Sequence, residues 1–174
     1  DMDHSLRFFR QLFGMDIPFF DSIQEAPLMD SHTRGKTISK RASMVMNLQG
    51  GCAFEVLRAD SFEPVAASWD IAPGDLGITA VQMKTRNIHK MHAHARNVAG
   101  TSCDDTICET PWGAPTFYLS DPDGNRFQIL EADDWFGDNG HPSGGVLGCT
   151  IGVSDMKTAL ALYADVLGFD QVLS

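Results

Sequence analysis

The residues most able to do chemistry sit in two short, similar strands. Phe54-Glu55-Val56-Leu57 and Phe127-Gln128-Ile129-Leu130 each place one polar side chain inside an apolar run. Alternate side chains of a strand face opposite ways, so Phe54 and Val56 share one face, as do Phe127 and Ile129, while Glu55 and Gln128 look the other way. A carboxylate buried without a partner is strongly unfavourable, so Glu55 needs a wet cavity, a cation or a donor. Three histidines, His89, His92 and His94, cluster in one stretch, and His89 and His92 are spaced to share a helix face. His4, His32 and His141 are isolated. Cys52, Cys103, Cys108 and Cys149 form no C-x-x-C pair and fit no zinc template, which reads as ordinary thiols in a reducing compartment. Gly144-Gly145-Val146-Leu147-Gly148 has the glycines of a phosphate loop but enters a strand with no helix after it, so it reads as a linker. No Ser-His-Asp order or Cys-His pair offers a nucleophile.

The elements that position these residues are repeated within the chain. Asp1, Met2, Leu6, Gly14 and Asp16 recur at one constant offset as Asp155, Met156, Leu160, Gly168 and Asp170. Apolar residues match at Phe8/Leu162, Phe9/Tyr163, Leu12/Val166 and Phe13/Leu167. The spacing is helical, and each glycine falls where a left-handed C-cap belongs. A second repeat relates Gly51–Leu57 to Gly124–Leu130. The two offsets agree with a unit of roughly 75 residues. In the second unit, Gly77–Met83 reads as a strand and Asn87–Ala99 as a helix with Ile88, Met91, Ala95 and Val98 on one face. A short strand near Thr106–Cys108 follows, then a hairpin of Thr116–Leu119 and Arg126–Leu130 about the turn Asp121-Pro122-Asp123-Gly124-Asn125. The unit is β-α-β-β-β. In the first unit the helix spans Met2–Phe13, with strands at Met15–Phe20, Ser43–Leu48 and Cys52–Leu57. The segment Asp21–Arg41 carries Arg34, Lys36, Lys40 and Arg41; it is either a mobile solvated loop or a cover drawing an anionic substrate to a cavity mouth. The third copy supplies a strand, Val146–Val153, before its helix; the first copy lacks its equivalent, and a fragment of a chain with four or more units is expected.

Across 174 residues, 13 Lys plus Arg face 23 Asp plus Glu, a net charge of -10. Such a surface repels phosphate backbones and anionic lipid, which argues against nucleic acid and membrane partners. No apolar run reaches the roughly 18 residues of a transmembrane helix. The composition, 43% apolar and 21% charged, is that of a globular protein able to build a core, and a cytoplasmic location is expected.

Three stretches resemble the vicinal oxygen chelate superfamily, which includes glyoxalase I, bleomycin resistance proteins and extradiol dioxygenases. They are Val153-Ser154-Asp155 through Tyr163 to Leu167-Gly168-Phe169, Gly50-Gly51 through Leu57, and Pro111-Trp112-Gly113 through Phe117–Asn125 to Glu131. The resemblance implies an α+β fold. Paired βαβββ modules would form an open, curved, eight-stranded mixed sheet around a cavity, with helices on the convex side. It implies a vicinal oxygen chelate (glyoxalase-like) domain over 1–132 made of two modules with the first strand missing, a linker at 133–145, and the start of a second, truncated glyoxalase-like domain at 146–174. The histidine-bearing helix would then lie on the convex side, its histidines solvated.

Enzymes of the superfamily hold Fe, Mn, Ni or Zn with His, Glu or Gln on the first and closing strands of each unit, and the metal chelates two neighbouring substrate oxygens. By that resemblance the closing strands give Glu55 and Gln128, the first strand of the second unit gives Ile78, and that of the third gives Gly148, with Cys149 if the register slips by one. Gln82, on the same strand face as Ile78, joins the cavity contacts. Glu55 is the only candidate metal ligand, and the site reads as degenerate. The expectation is a protein of the glyoxalase/bleomycin resistance/dioxygenase family that binds or acts on a small oxygenated molecule through Glu55, Gln82, Gln128 and Ile78. The alternative is a metal-dependent lyase or extradiol dioxygenase whose ligands lie in missing termini. Pairing of units within one chain allows a homodimer without requiring it.

Overall fold

The structure, a computed structural model, describes residues 1–171 except 34, 64, 66, 67 and 70. Helix α1, Met2–Phe13, is capped at both ends by its own sequence. The Asp1 carboxylate accepts the Asp3 N–H at 3.0 Å. Gly14 closes the helix at φ 63°, where a side chain is strained. Strands β1 (Ile17–Glu25), β2 (Ser39–Met46) and β3 (Ala53–Ala59) follow as an antiparallel meander with β3 at its edge. The second unit begins with β4, Gly77–Thr85, and α2, Ile88–Ala95, whose N-cap Asn87 accepts the Lys90 N–H at 2.9 Å. Short strands β5 (Ser102–Cys103) and β6 (Cys108–Glu109) border β7 (Pro115–Ser120), which turns into β8 (Arg126–Glu131). At that turn the Asp121 carboxylate takes the N–H groups of Asp123 and Asn125, and Gly124 supplies a positive φ.

Strand β9, Ser143–Gly152, completes the second sheet, whose order is β5-β7-β8-β4-β9 with β6 paired to β7. β4 runs parallel to β8 and antiparallel to β9. The α+β class and the open sheets are as expected, but the strands are divided between two sheets rather than running through one. The division falls at β3. Its equivalent by the repeat, β8, has β4 as a parallel neighbour, whereas among the described residues β3 has β2 alone. The chain then forms α3, Met156–Leu160, continued as a π-helical stretch over Ala161–Val166. The strand expected to run on to Ser174 falls at 172–174, outside the described residues.

The helices α1 and α2 pack on one face of the sheets through Phe9, Leu12, Phe13, Met83, Ile88, Met91, Phe117, Phe127 and Ile129. The two repeat-related phenylalanines, Phe54 and Phe127, meet at 6.0 Å between ring centroids, and Phe13 lies 4.9 Å from Phe127. The single aromatic core therefore joins the two sheets under α1.

Two sequence expectations are corrected here. The Asp21–Arg41 segment is strand at both ends: β1 continues to Glu25 and pairs with Ser39–Ser43. Its Arg41 holds Asp21 at 2.7 Å and Asp3 of α1 at 2.8 Å, so this cation fastens helix to sheet rather than covering a cavity. β1 is largely exposed and carries no clean apolar alternation, which hid its continuation past Phe20. Arg34 of that segment lies outside the described residues. Two of the three α2 histidines are also more engaged than solvated groups, while His89 is exposed: His92 Nε2 bonds the Asp104 carbonyl at 2.8 Å and His94 Nε2 the Gln11 carbonyl at 2.9 Å.

Residues 133–145 lie against the first unit. The Gln49 carbonyl accepts the N–H groups of Phe136 and Gly137, and the amides of Asn47 and Gln49 both donate to the Ser143 carbonyl. Gly144 is required, because a Cβ there would fall 2.2 Å from the Trp135 ring.

Candidate functional site

Membership of the aromatic core fixes which face of each strand the helices cover: Phe54 and Val56 of β3, Val81 and Met83 of β4, Phe117 and Leu119 of β7, Phe127 and Ile129 of β8. Strand alternation puts the remaining residues on the opposite, helix-free face. Cross-strand register then assembles them in rows. Tyr118 stands opposite Gln128, Gln128 beside Gln82, and Gln82 beside Gly148. The next rows hold Lys84 in one direction and Arg126 in the other.

The two glutamines are bound to each other. Gln82 Nε2 donates to Gln128 Oε1 at 3.1 Å, and Gln128 Nε2 donates to Thr116 Oγ1 at 3.3 Å. The Thr116 hydroxyl passes its own proton to the Ile129 carbonyl at 2.8 Å. Gln128 is 4% exposed, so this relay keeps a buried amide satisfied in the middle of a sheet face. Gly148 leaves room for it: a Cβ at that position would stand 3.0 Å from Gln82 Oε1. Lys84 is equally buried and is neutralised by Asp134, at 2.9 Å to the carboxylate and 3.0 Å to the carbonyl.

Glu55 belongs to the same face of the other sheet. Its partner is Lys40 at 3.7 Å, and its side chain is 46% exposed. The cation or water that an isolated carboxylate needs is thus supplied by β2 and by solvent. Ile78 lies near the start of β4 beside Ile151 and is 66% exposed, well away along the strand from Gln82. Counting back from the capping residues Asn87 and Asp155 by the number of positions that gives Gly148 gives Ala80. The structure therefore brings Gln82 and Gln128 together and leaves Glu55 and Ile78 apart from them. Thr116, Tyr118, Lys84 and Arg126 were missed by sequence reasoning. Parity with Gln128 and Gln82 was the available signal, but register between strands was needed to use it.

Two cavities border the sheets, neither with Gln82 or Gln128 in its described walls. One of about 1140 Å³ follows β3 and the N-terminal half of α1, with Glu55, Phe54, Phe127 and Val81 in its walls. The other, about 480 Å³, lies between β5, β7, β8, β4 and β9, with Tyr118, Arg126, Ala80 and Thr150 in its walls.

No family model matches the chain, and no curated protein matches it by sequence. Solved structures do. A glyoxalase family protein from Bacillus cereus superposes with a TM-score of 0.61 at 14% identity, over 79% of this chain and 88% of that one. Glyoxalase I from Zea mays gives 0.60 at 14% identity, over 97% of this chain and 51% of that one. A putative dioxygenase from Bacillus subtilis gives 0.61 at 14% identity, with 97% and 51% covered. The fold is that of the vicinal oxygen chelate proteins. The chain spans about half the length of the maize and B. subtilis proteins.

A vicinal oxygen chelate fold implies a metal on the helix-free face, so the donors there can be tested for fit. The Gln82 and Gln128 amides are committed to each other and to Thr116. Ala80 and Gly148 offer no donor atom, and Glu55 faces Lys40 rather than a second ligand. Among the described residues no three His, Cys, Asp or Glu side chains cluster as a metal site. A divalent metal of the kind the fold implies needs several anionic or imidazole donors converging on one point. These residues do not fit one. No helix among the described residues is long and apolar enough to cross a membrane.

Proposed function

We propose that this chain binds a small oxygenated organic molecule on the helix-free face of its sheets, without a resident metal. Gln82 and Gln128 make the polar contacts, and Glu55 and Ile78 contribute from the flanks. The observation that carries the reading is the Gln82–Gln128–Thr116 relay. A core has no use for two amides in mid-sheet, whereas a ligand with neighbouring oxygens can exchange hydrogen bonds with them at little net cost. We further propose that 1–132 is one glyoxalase-like domain, that 133–145 links it onward, and that 146–174 begins a second. Support for that comes from α3, whose apolar side chains match buried ones in α1 yet stand exposed. The protein is read as cytoplasmic, with a homodimer allowed.

The test is a thermal-shift screen against small diols, hydroxy ketones, hydroxy acids and catechols, run with and without Fe, Mn, Ni and Zn. The expected result is a compound that stabilises the metal-free protein and loses its effect in Gln128→Leu. Stabilisation that appears only with a stoichiometric metal, and disappears in Glu55→Ala, would establish the metal-dependent lyase or dioxygenase reading instead.

A further inference from the structure

We infer that the 480 Å³ pocket at the Arg126 end of the relay is an anion subsite that takes the carboxylate of a small organic acid. The inference rests on the ligand-binding reading above and names the class of ligand. Among the described residues Arg126 is the only cationic side chain in the pocket wall. Among the described residues it enters no ion pair, while Lys84, on the same sheet face, is neutralised by Asp134. A guanidinium presents a planar fork of donors that matches a carboxylate with two parallel hydrogen bonds.

The rest of the wall suits that ligand. Tyr118, Ser120 and Thr150 bring hydroxyl groups beside the arginine, and Ser102 adds another. Asp104 is the one acidic wall residue, and its Oδ2 is engaged by the Tyr118 N–H at 2.9 Å. The Cys103 thiol, also in the wall, is pushed up in pKa by burial and by Asp104, so it stays neutral beside a bound anion. One cation among the described residues of the pocket wall matches one negative charge, which favours a monoanionic carboxylate over a phosphate dianion. The volume is within the range of small-molecule sites. Arg126 stands two residues before Gln128 on the same face of β8, so the subsite and the glutamine relay are neighbours along one strand.

Nuclear magnetic resonance titration of the labelled protein with benzoate, benzamide and inorganic phosphate tests this. Benzoate is expected to shift the amide signals of Tyr118, Ser120 and Arg126 saturably, with benzamide silent there and phosphate weaker. Arg126→Gln should weaken benzoate at least about tenfold, and Arg126→Lys should retain part of it. A dispersed spectrum of each variant shows that it is folded. Benzoate shifts that are absent, or that survive in Arg126→Gln, overturn the anion subsite. Phosphate binding as tightly as benzoate overturns the assignment to a carboxylate. If small neutral oxygenated molecules still shift the Gln82 and Gln128 side-chain amides in those cases, the ligand-binding reading stands. If no compound shifts them, that reading falls separately.

Discussion

Helices α1 and α3 are two copies of one sequence pattern with opposite fates. Both begin on an aspartate that caps the first turn and both end on a glycine at positive φ, Gly14 at 63° and Gly168 at 75°. In α1 the apolar stripe is buried: Leu12 and Phe13 are 0% exposed. In α3 the matching Val166 and Leu167 are 71% and 54% exposed, and no residue of the helix is buried. α1 lies over the aromatic core that β3, β8 and β4 share, and among the described residues no equivalent three-stranded meander stands beneath α3. Caps and periodicity suffice to make the helix, but only a matching sheet can bury it.

The contrast is broken most directly by truncating matched positions. Phe13→Ala should cost about 3–5 kcal/mol in denaturant unfolding, because it empties a filled site in the core. Leu167→Ala should stay within about 0.5 kcal/mol, as for other surface changes. Comparable costs at both positions would mean that the α3 face is covered in solution.

The C-caps sharpen it next. A Cβ at Gly14 would lie 2.8 Å from His141 Cγ, whereas nothing stands within 4 Å of one at Gly168. Gly168→Ala carries the left-handed backbone penalty alone, about 1–2 kcal/mol, while Gly14→Ala adds about 1–3 kcal/mol of overpacking. Urea midpoints of the two variants should therefore fall in that order.

The smallest effect concerns pH and belongs to the α1 end only. His141 Nδ1 accepts the Ser143 N–H at 3.1 Å, which leaves the ring proton on Nε2 to be donated to the Gln11 carbonyl at 3.2 Å. Burial, reinforced by His94 at 5.1 Å, holds this imidazole below the usual histidine range. A lowered folded pKa means that the unfolded chain takes up the proton first. Stability is therefore retained above the ordinary value near ~6.5 and declines as pH drops through it. Melting curves between pH 7.5 and 5.5 should show that decline, with a shallower slope in His141→Gln. An unchanged slope would remove His141 as its source.

Much of the fold was legible in the sequence because its signals are local. The cap residues Asp1, Asn87 and Asp155, the turn at Asp121–Asn125 and the Phe-x-Ile/Val strands each act within a few residues, and the repeat multiplied them. The start of β1 was legible, but its continuation to Glu25 escaped because its exposed residues lack a period; that continuation pairs with β2 from Asp21 opposite Ser43 to Glu25 opposite Ser39. The site was less legible. Glu55 and Gln128 are matched by the repeat, yet the structure joins Gln128 to Gln82 and Thr116 and gives Glu55 to Lys40. Parity says which face a side chain takes, while the register between strands far apart in sequence says which neighbour it meets.

The sequence by itself determined the helices, their caps, the hairpin turns and the segregation of aromatic from polar strand faces, since each follows from backbone preference and burial over short spans. The tertiary structure alone decided that β9 lies beside β4 and, among the described residues, that β3 has one strand neighbour, that α1 is covered while α3 is not, and that Arg126 enters no ion pair. Those outcomes depend on which distant segments compete for the same sheet edge and the same apolar surface, and no local pattern encodes the winner.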